Sequence, residues 1–161
     1  MNLSEKIKQI AAEITPEIVS NRRHIHSNPE LSFEEFNTCA FVKEKLQSLG
    51  VEEISIKAGT GVVGLIKGQN PDKKTIALRA DMDALPIIEE NTVEYKSKVE
   101  GVMHACGHDV HMTCALGVAE LLAKHQDKLC GTVKFIFQPA EEGMPVTFDD
   151  EWGAKLMIAQ G

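Results

Sequence analysis

Apolar positions in the first segment of the chain recur every three or four residues. Leu3, Ile7, Ile10, Ala11 and Ile14 fall on one helical face. "TPE" at 15–17 then predicts a restart, because Thr15 suits an N-cap and Pro16 suits the first turn of a second helix. Asn28-Pro29 is expected to end that helix, since proline disfavours helical backbone in the residue before it. Glu34 to Leu49 is a further amphipathic stretch, and Gly50 fits a C-terminal cap.

The period then shortens. "VEEISIKAG" (51–59) and "GVVGLIKG" (61–68) flank a glycine-rich turn, "QNPDKK" reads as a loop, and "TIALRA" (75–80) reads as a buried strand. Residues 84–103 are less regular. "HMTCALGVAELLAK" (111–124) is a strongly apolar helix and "TVKFIFQ" (132–138) another strand. Helices alternating with apolar strands predict an α/β fold around a central sheet. There is no internal repeat or low-complexity segment.

Bulk properties narrow the functional classes. A length of 161 residues suits one domain or a large piece of a bigger one. With 43% hydrophobic and 25% charged residues, the composition is that of a folded protein. A formal charge of −7 argues against a nucleic-acid backbone or an anionic membrane as the main partner. No apolar run approaches the roughly 20 residues of a membrane span, and "MNLSEKIKQI" does not resemble a signal segment, so a cytoplasmic location is expected. Cys39, Cys106, Cys114 and Cys130 form no CxxC pair and are expected to be reduced, mostly buried packing residues.

Chemistry concentrates in three connections. The strand at 75–80 empties into "ADMDALP", the strand at 132–138 into "PAEEG", and "HACGHDVH" (104–111) opens the helix between them. Sites of open α/β sheets gather outside the carboxyl ends of strands. Cys106 and His108 lie two apart at a loop-to-helix junction, where thiolate and imidazole suit zinc and related metals. His111 shares a helical face with His108, and His104 and Asp109 complete the cluster; a helix cap at Asp109 among polar residues is the plainer alternative. Glu141 and Glu142 are adjacent, so they point in different directions and can divide metal binding from proton transfer; alone, they would read as a solvated acidic loop. Asp81 and Asp83 alternate, either binding metal, orienting a ligating imidazole, or merely bonding their own turn. Arg79 is placed to pair with these acids. Thiol catalysis through Cys106 and a nearby histidine is a competing reading that leaves the paired glutamates unexplained.

"RRHIHSNPELSFEE" (22–35), "LRADMDALPI" (78–87), "MHACGHDVH" (103–111) and "FIFQPAEEG" (135–143) together resemble the M20 metallopeptidases, in their amidohydrolase branch. The resemblance implies a central mixed β-sheet flanked by helices, the N-terminal part (1–161) of a zinc-peptidase-like catalytic domain without its inserted lid and dimerisation domain. It implies Cys106, His108 and Glu142 as metal ligands, Glu141 as general base, Asp83 as the supporting aspartate, and Asp81 where other members carry a histidine ligand. One or two divalent ions (Zn, Mn, Ni or Co) are implied as cofactors, a small N-acyl amino acid as substrate, and a homodimer or higher oligomer for the full-length parent. Dipeptide hydrolysis, biosynthetic deacetylation and a non-catalytic metal-binding fragment are the alternatives. Two further histidine ligands follow the "AEEG" loop in the family. Among the residues after His111 only His125 is a histidine, and it stands at the far end of the apolar helix. The chain therefore reads as truncated, and low activity is expected of the 161 residues alone.

Overall fold

The computed structural model describes residues 3–143 and 152–161. A single helix, α1 (Leu3–Ser27), covers the whole first segment with Pro16 inside it, which corrects the expected restart. The Thr15 hydroxyl donates back to the Ala11 carbonyl at 2.7 Å rather than capping a new helix. A proline in a helix interior costs about 3 kcal/mol. Packing on both sides of Pro16 offsets it: the ends of Ile14 and Ile18 lie against Gly117, where a β-carbon would stand 2.6 Å from Ile18 Cδ1. The helix ends before Asn28-Pro29, as the sequence predicts.

Helix α2 (Phe36–Ser48) is closed at both ends by identifiable bonds. Glu30 caps its start, its carboxylate accepting the Asn37 and Thr38 backbone N–H groups at 3.1 and 2.8 Å. At its end Gly50 adopts φ +80°, its N–H reaching Gln47 O while the Val51 N–H reaches Leu46 O, the paired bonds of a Schellman cap.

Strands β1 (Glu53–Lys57), β2 (Gly61–Lys67), β3 (Thr75–Asp81) and β4 (Thr132–Gln138) form one mixed sheet in the order β1-β2-β4-β3. The β1–β2 and β2–β4 pairs are antiparallel, whereas β3 and β4 are parallel and joined through helix α3 (His108–Lys124). Phe135 and Phe137 of β4 face a core with Val42, Leu46, Val62, Met112 and Leu116. On the opposite face Val63 packs with Ala58 and Met157 of the short helix α4 (Gly153–Ala159), and Ile136 joins them. Both faces of the sheet therefore carry helices.

Two expectations about burial need correcting. Strand β3 is exposed over Thr75–Ala77, with Ile76 53% accessible, because among the described strands only β4 flanks it. All four cysteines are free, but Cys106, Cys114 and Cys130 are exposed and Cys39 is half-buried, so they are not core residues. Met144 to Glu151, counted with the segment leading to α4, lie outside the described residues. No helix among the described residues is long and apolar enough to cross a membrane.

The irregular stretch 84–103 is held by charge. Glu89, 3% exposed, receives His26 Nε2 at 3.1 Å, the Ser97 N–H at 2.6 Å and the Asn91 amide at 3.0 Å. His26 Nδ1 lies 2.7 Å from Asp109 Oδ2, which also forms an ion pair with Arg22, its Nε 2.8 Å away. This relay ties α1, the long connection and the first turn of α3 together.

Candidate metal centre

Parallel pairing places Asp81 of β3 opposite Gln138 of β4, so both strands deliver their following loops to one edge. Asp83 follows from one strand, Glu141 and Glu142 from the other. Helix α3 begins at His108, immediately after Gly107, whose φ of +89° is a left-handed turn that glycine adopts without steric cost. Around that turn Cys106, His108 and Glu142 bring one donor atom each to within 4.8 Å of one another. His108 Nε2 stands 3.8 Å from Glu142 Oε1, the separation of two donors on one ion with bonds of about 2.0–2.3 Å.

The orientation of His108 is fixed from behind. Its Nδ1 is 2.9 Å from the Asp83 carbonyl oxygen and 3.2 Å from Asp83 Oδ1. Nδ1–H therefore donates to Asp83, leaving the Nε2 lone pair directed at the two glutamates. Asp83 is fully buried; its other oxygen accepts the Ser32 hydroxyl at 2.7 Å and the Glu142 N–H at 2.9 Å. Burial alone would raise its carboxyl. The bonds from His108, Glu142 and Ser32 outweigh that and hold it below the usual carboxylate range. Burial works to lower His108, but the Asp83 hydrogen bond and charge leave it raised.

The donor set fits a cation. Glu142 Oε1 is buried with no hydrogen-bond partner among the described residues, a costly condition unless something positive satisfies it. Hydrogen bonding to Glu142, then burial and the charges of Glu142, Glu141 and Asp81, push the Cys106 thiol up to about 11. A divalent ion reverses that logic and deprotonates a coordinating thiol. An anionic surrounding is also the opposite of the electropositive one that activates a cysteine nucleophile, so the geometry disfavours thiol catalysis.

Glu141 is half-exposed, its Oε2 3.7 Å from His108 Nε2 and its Oε1 3.7 Å from an Arg79 guanidinium nitrogen. It faces the same imidazole as Glu142 while remaining open to solvent. Asp81, His108 and His111 form a second donor group sharing His108. In it Asp81 is engaged by Arg79 Nε at 2.7 Å, and His111 Nδ1 lies 3.5 Å from Asp81 Oδ2. Asp109 is not part of either group. It is fully buried and turned to Arg22 and His26, and it is not the N-cap of α3, which is Gly107. His104 is likewise outside both groups: 3% exposed, with both ring nitrogens unpartnered among the described residues, it is brought down by burial to about 4 and stays neutral.

Sequence reasoning missed the supporting residues Ser32, Glu35, His26 and Glu89. Three of them lie inside "RRHIHSNPELSFEE", a stretch dense in polar residues beside apolar ones, which is the only local signal that His26 and Glu35 are buried and Ser32 half-buried.

The model of "Peptidase family M20/M25/M40" matches residues 77–161. The chain belongs to this family. It is 51% identical over 162 residues to "Thermostable carboxypeptidase 2" of Saccharolobus solfataricus, covering 100% of this chain and 40% of that protein. It is 46% identical over 157 residues to "N-acyl-L-amino acid amidohydrolase" of Geobacillus stearothermophilus, covering 98% and 40%. Among solved structures, the YXEP protein of Bacillus subtilis, described as a dinuclear metal binding peptidase from the M20 family, superposes with a TM-score of 0.75 at 44% identity, covering 81% of this chain and 36% of that one. The chain thus spans about 40% of the length of these two curated relatives.

Proposed function

We propose that the protein is a metal-dependent amidohydrolase that cleaves the amide bond of N-acyl amino acids. Cys106, His108 and Glu142 are the cation's donors from this chain, and Glu141 is the general base. The observation that carries this reading is the buried Glu142 oxygen, unpartnered among the described residues, converging with Cys106 and His108, while Glu141 faces the same imidazole. The relatives named for amidohydrolase and carboxypeptidase activity support a hydrolase of C–N bonds.

When bound, a divalent cation supplies Lewis acidity to the acyl carbonyl and acidifies water. The chain's own residues handle geometry and protons. Asp83 fixes the imidazole tautomer, so His108 presents a lone pair rather than a proton. Glu141 takes a proton from the attacking water and delivers it to the departing amine nitrogen. Arg79, close to both Asp81 and Glu141, limits the directions the Glu141 carboxylate can take.

A second reading, release of a C-terminal residue from a peptide, is favoured by the 51% identity to the carboxypeptidase. Both use one set of donors and differ in what occupies the acyl side. The whole protein, of which this chain spans about 40% by the length of these relatives, separates them by relative kcat/KM on N-acetyl and N-benzoyl amino acids and on short peptides. Glu141→Gln should lower kcat by about 10²-fold or more with metal content unchanged. Hydrolysis that persists after metal is stripped, or an E141Q enzyme at full rate, sinks the proposal.

A further inference from the structure

Glu35 is a fully buried carboxylate with no part in the donor groups described above. It occupies the N-cap position of α2, yet its side chain makes no cap bond, because Glu30 performs that task. Its two oxygens go elsewhere: one accepts the Thr60 hydroxyl at 2.6 Å, and the other accepts the backbone N–H of Ala140 at 2.9 Å across 105 residues of sequence. Burial, against the pull of those bonds, raises its carboxyl.

Ala140 immediately precedes Glu141 and has φ +49°, a left-handed conformation that a β-carbon makes costly. Neighbouring elements hold that conformation from outside the loop. Gly61 and Gly153 let β2 and α4 close on Pro139, since a β-carbon on either would lie 2.8 Å from Pro139 Cδ and 1.8 Å from Pro139 O respectively. Glu35 then takes the Ala140 N–H, and Asp83 takes the Glu142 N–H. The two glutamates stand between a pair of buried carboxylates that grip the backbone one residue before and at the end of the pair.

We infer that Glu35 is a positioning residue that sets the Glu141–Glu142 pair over His108 by holding the Ala140 N–H in its left-handed turn. The inference rests on Cys106, His108 and Glu142 being the cation's donors. Glu35 acts through hydrogen-bond geometry at Ala140 and not through its charge.

Cobalt(II) titration of the 161-residue chain and two variants tests this, read by the sulfur-to-cobalt absorption band from Cys106 and by affinity. Glu35→Asp keeps the charge and is a favoured N-cap residue for α2, but retracts the carboxylate by one methylene from Ala140. Glu35→Gln loses the charge and keeps an oxygen for the Ala140 N–H, while its amide donates to the Thr60 hydroxyl. E35D should bind cobalt about tenfold more weakly with an altered band, the effect of loosening a ligand's support. E35Q should stay within about threefold of the unaltered chain. Both should keep the far-ultraviolet dichroism of a folded chain.

E35Q weaker than E35D shows that charge is what matters and overturns the inference. So does a lower melting temperature in both variants with cobalt affinity and spectrum unmoved. If E35D does not fold, amide exchange at Ala140 in the unaltered chain decides. Coupling is reciprocal, so cobalt should slow that exchange about tenfold, and an unchanged rate overturns the inference. Absence of any sulfur-to-cobalt band in the unaltered chain instead removes the donor assignment, and this inference with it.

Discussion

Asp83 does three things with one side chain and one carbonyl: it orients His108, receives Ser32 and anchors the Glu142 N–H. Asn at this position keeps the volume but replaces one acceptor oxygen with an NH₂ group, which meets the Glu142 N–H and the Ser32 hydroxyl in one orientation and the His108 Nδ1–H in the other. We expect Asp83→Asn to weaken metal affinity by about 10–100-fold, measured by competition with a chelating dye, with secondary structure retained. Glu89 shows the same reliance on buried acceptors away from the metal centre. Burial would raise it, but the Ser97 N–H, His26 and Asn91 bring it down to about 2 from an ordinary 4.5. A carboxyl lowered by folding stabilises the native chain above its unfolded value, and that contribution disappears as pH falls from about 4.5 towards about 2. Glu89→Gln should therefore cost roughly 1–3 kcal/mol at pH 7 and flatten the loss of stability in that acid range, as measured by urea melts at several pH values.

At the scale of elements, period and turn chemistry were legible wherever a feature depends on near neighbours in sequence. The Schellman cap at Gly50, the hairpin between β1 and β2, and the two strands that feed the acidic loops are all local. What was not legible depended on remote partners. Thr15-Pro16 carries a sound local signal for a helix start, and it is overridden because Ile14 and Ile18 gain more by packing together on α3 than the chain loses at one missing bond. Strand β3 reads as buried from its apolar residues, but exposure of an edge is decided by how many strands flank it. The candidate site shows the same division: the residue types that hold metals are visible in "HACGHDVH" and "AEEG", whereas Asp109 is diverted to His26 by a contact spanning 83 residues. Gly153 belongs with the remote cases. A β-carbon there meets the Pro139 backbone oxygen at 1.8 Å, so neither atom can yield without moving α4 or the loop before Glu141. Gly153→Ala is expected to lower stability by about 1–3 kcal/mol, seen as a lower melting temperature.

For the molecule as a whole, the donor site is also a point of stored repulsion. Glu141, Glu142 and Asp81 surround a thiol in a chain whose net charge is already −7, and among the described residues Arg79 is the one arginine or lysine paired with these carboxylates. A divalent ion that binds the folded chain and not the unfolded one adds stability as RT ln(1 + [L]/Kd), about 2.7 kcal/mol at a hundredfold excess over Kd. For a chain of this length, each kcal/mol moves the melting temperature by about 2–4 °C, so saturating zinc should raise it by roughly 5–11 °C over the chelator-treated protein. The same scan on Glu142→Ala and Cys106→Ala separates specific binding from general screening. Truncating either donor should remove most of the zinc-dependent rise, and Glu142→Ala should cost the metal-free protein less stability than the loss of a buried contact would, because one carboxylate leaves a cluster of like charge. A zinc response of equal size in all three proteins would place the ion elsewhere.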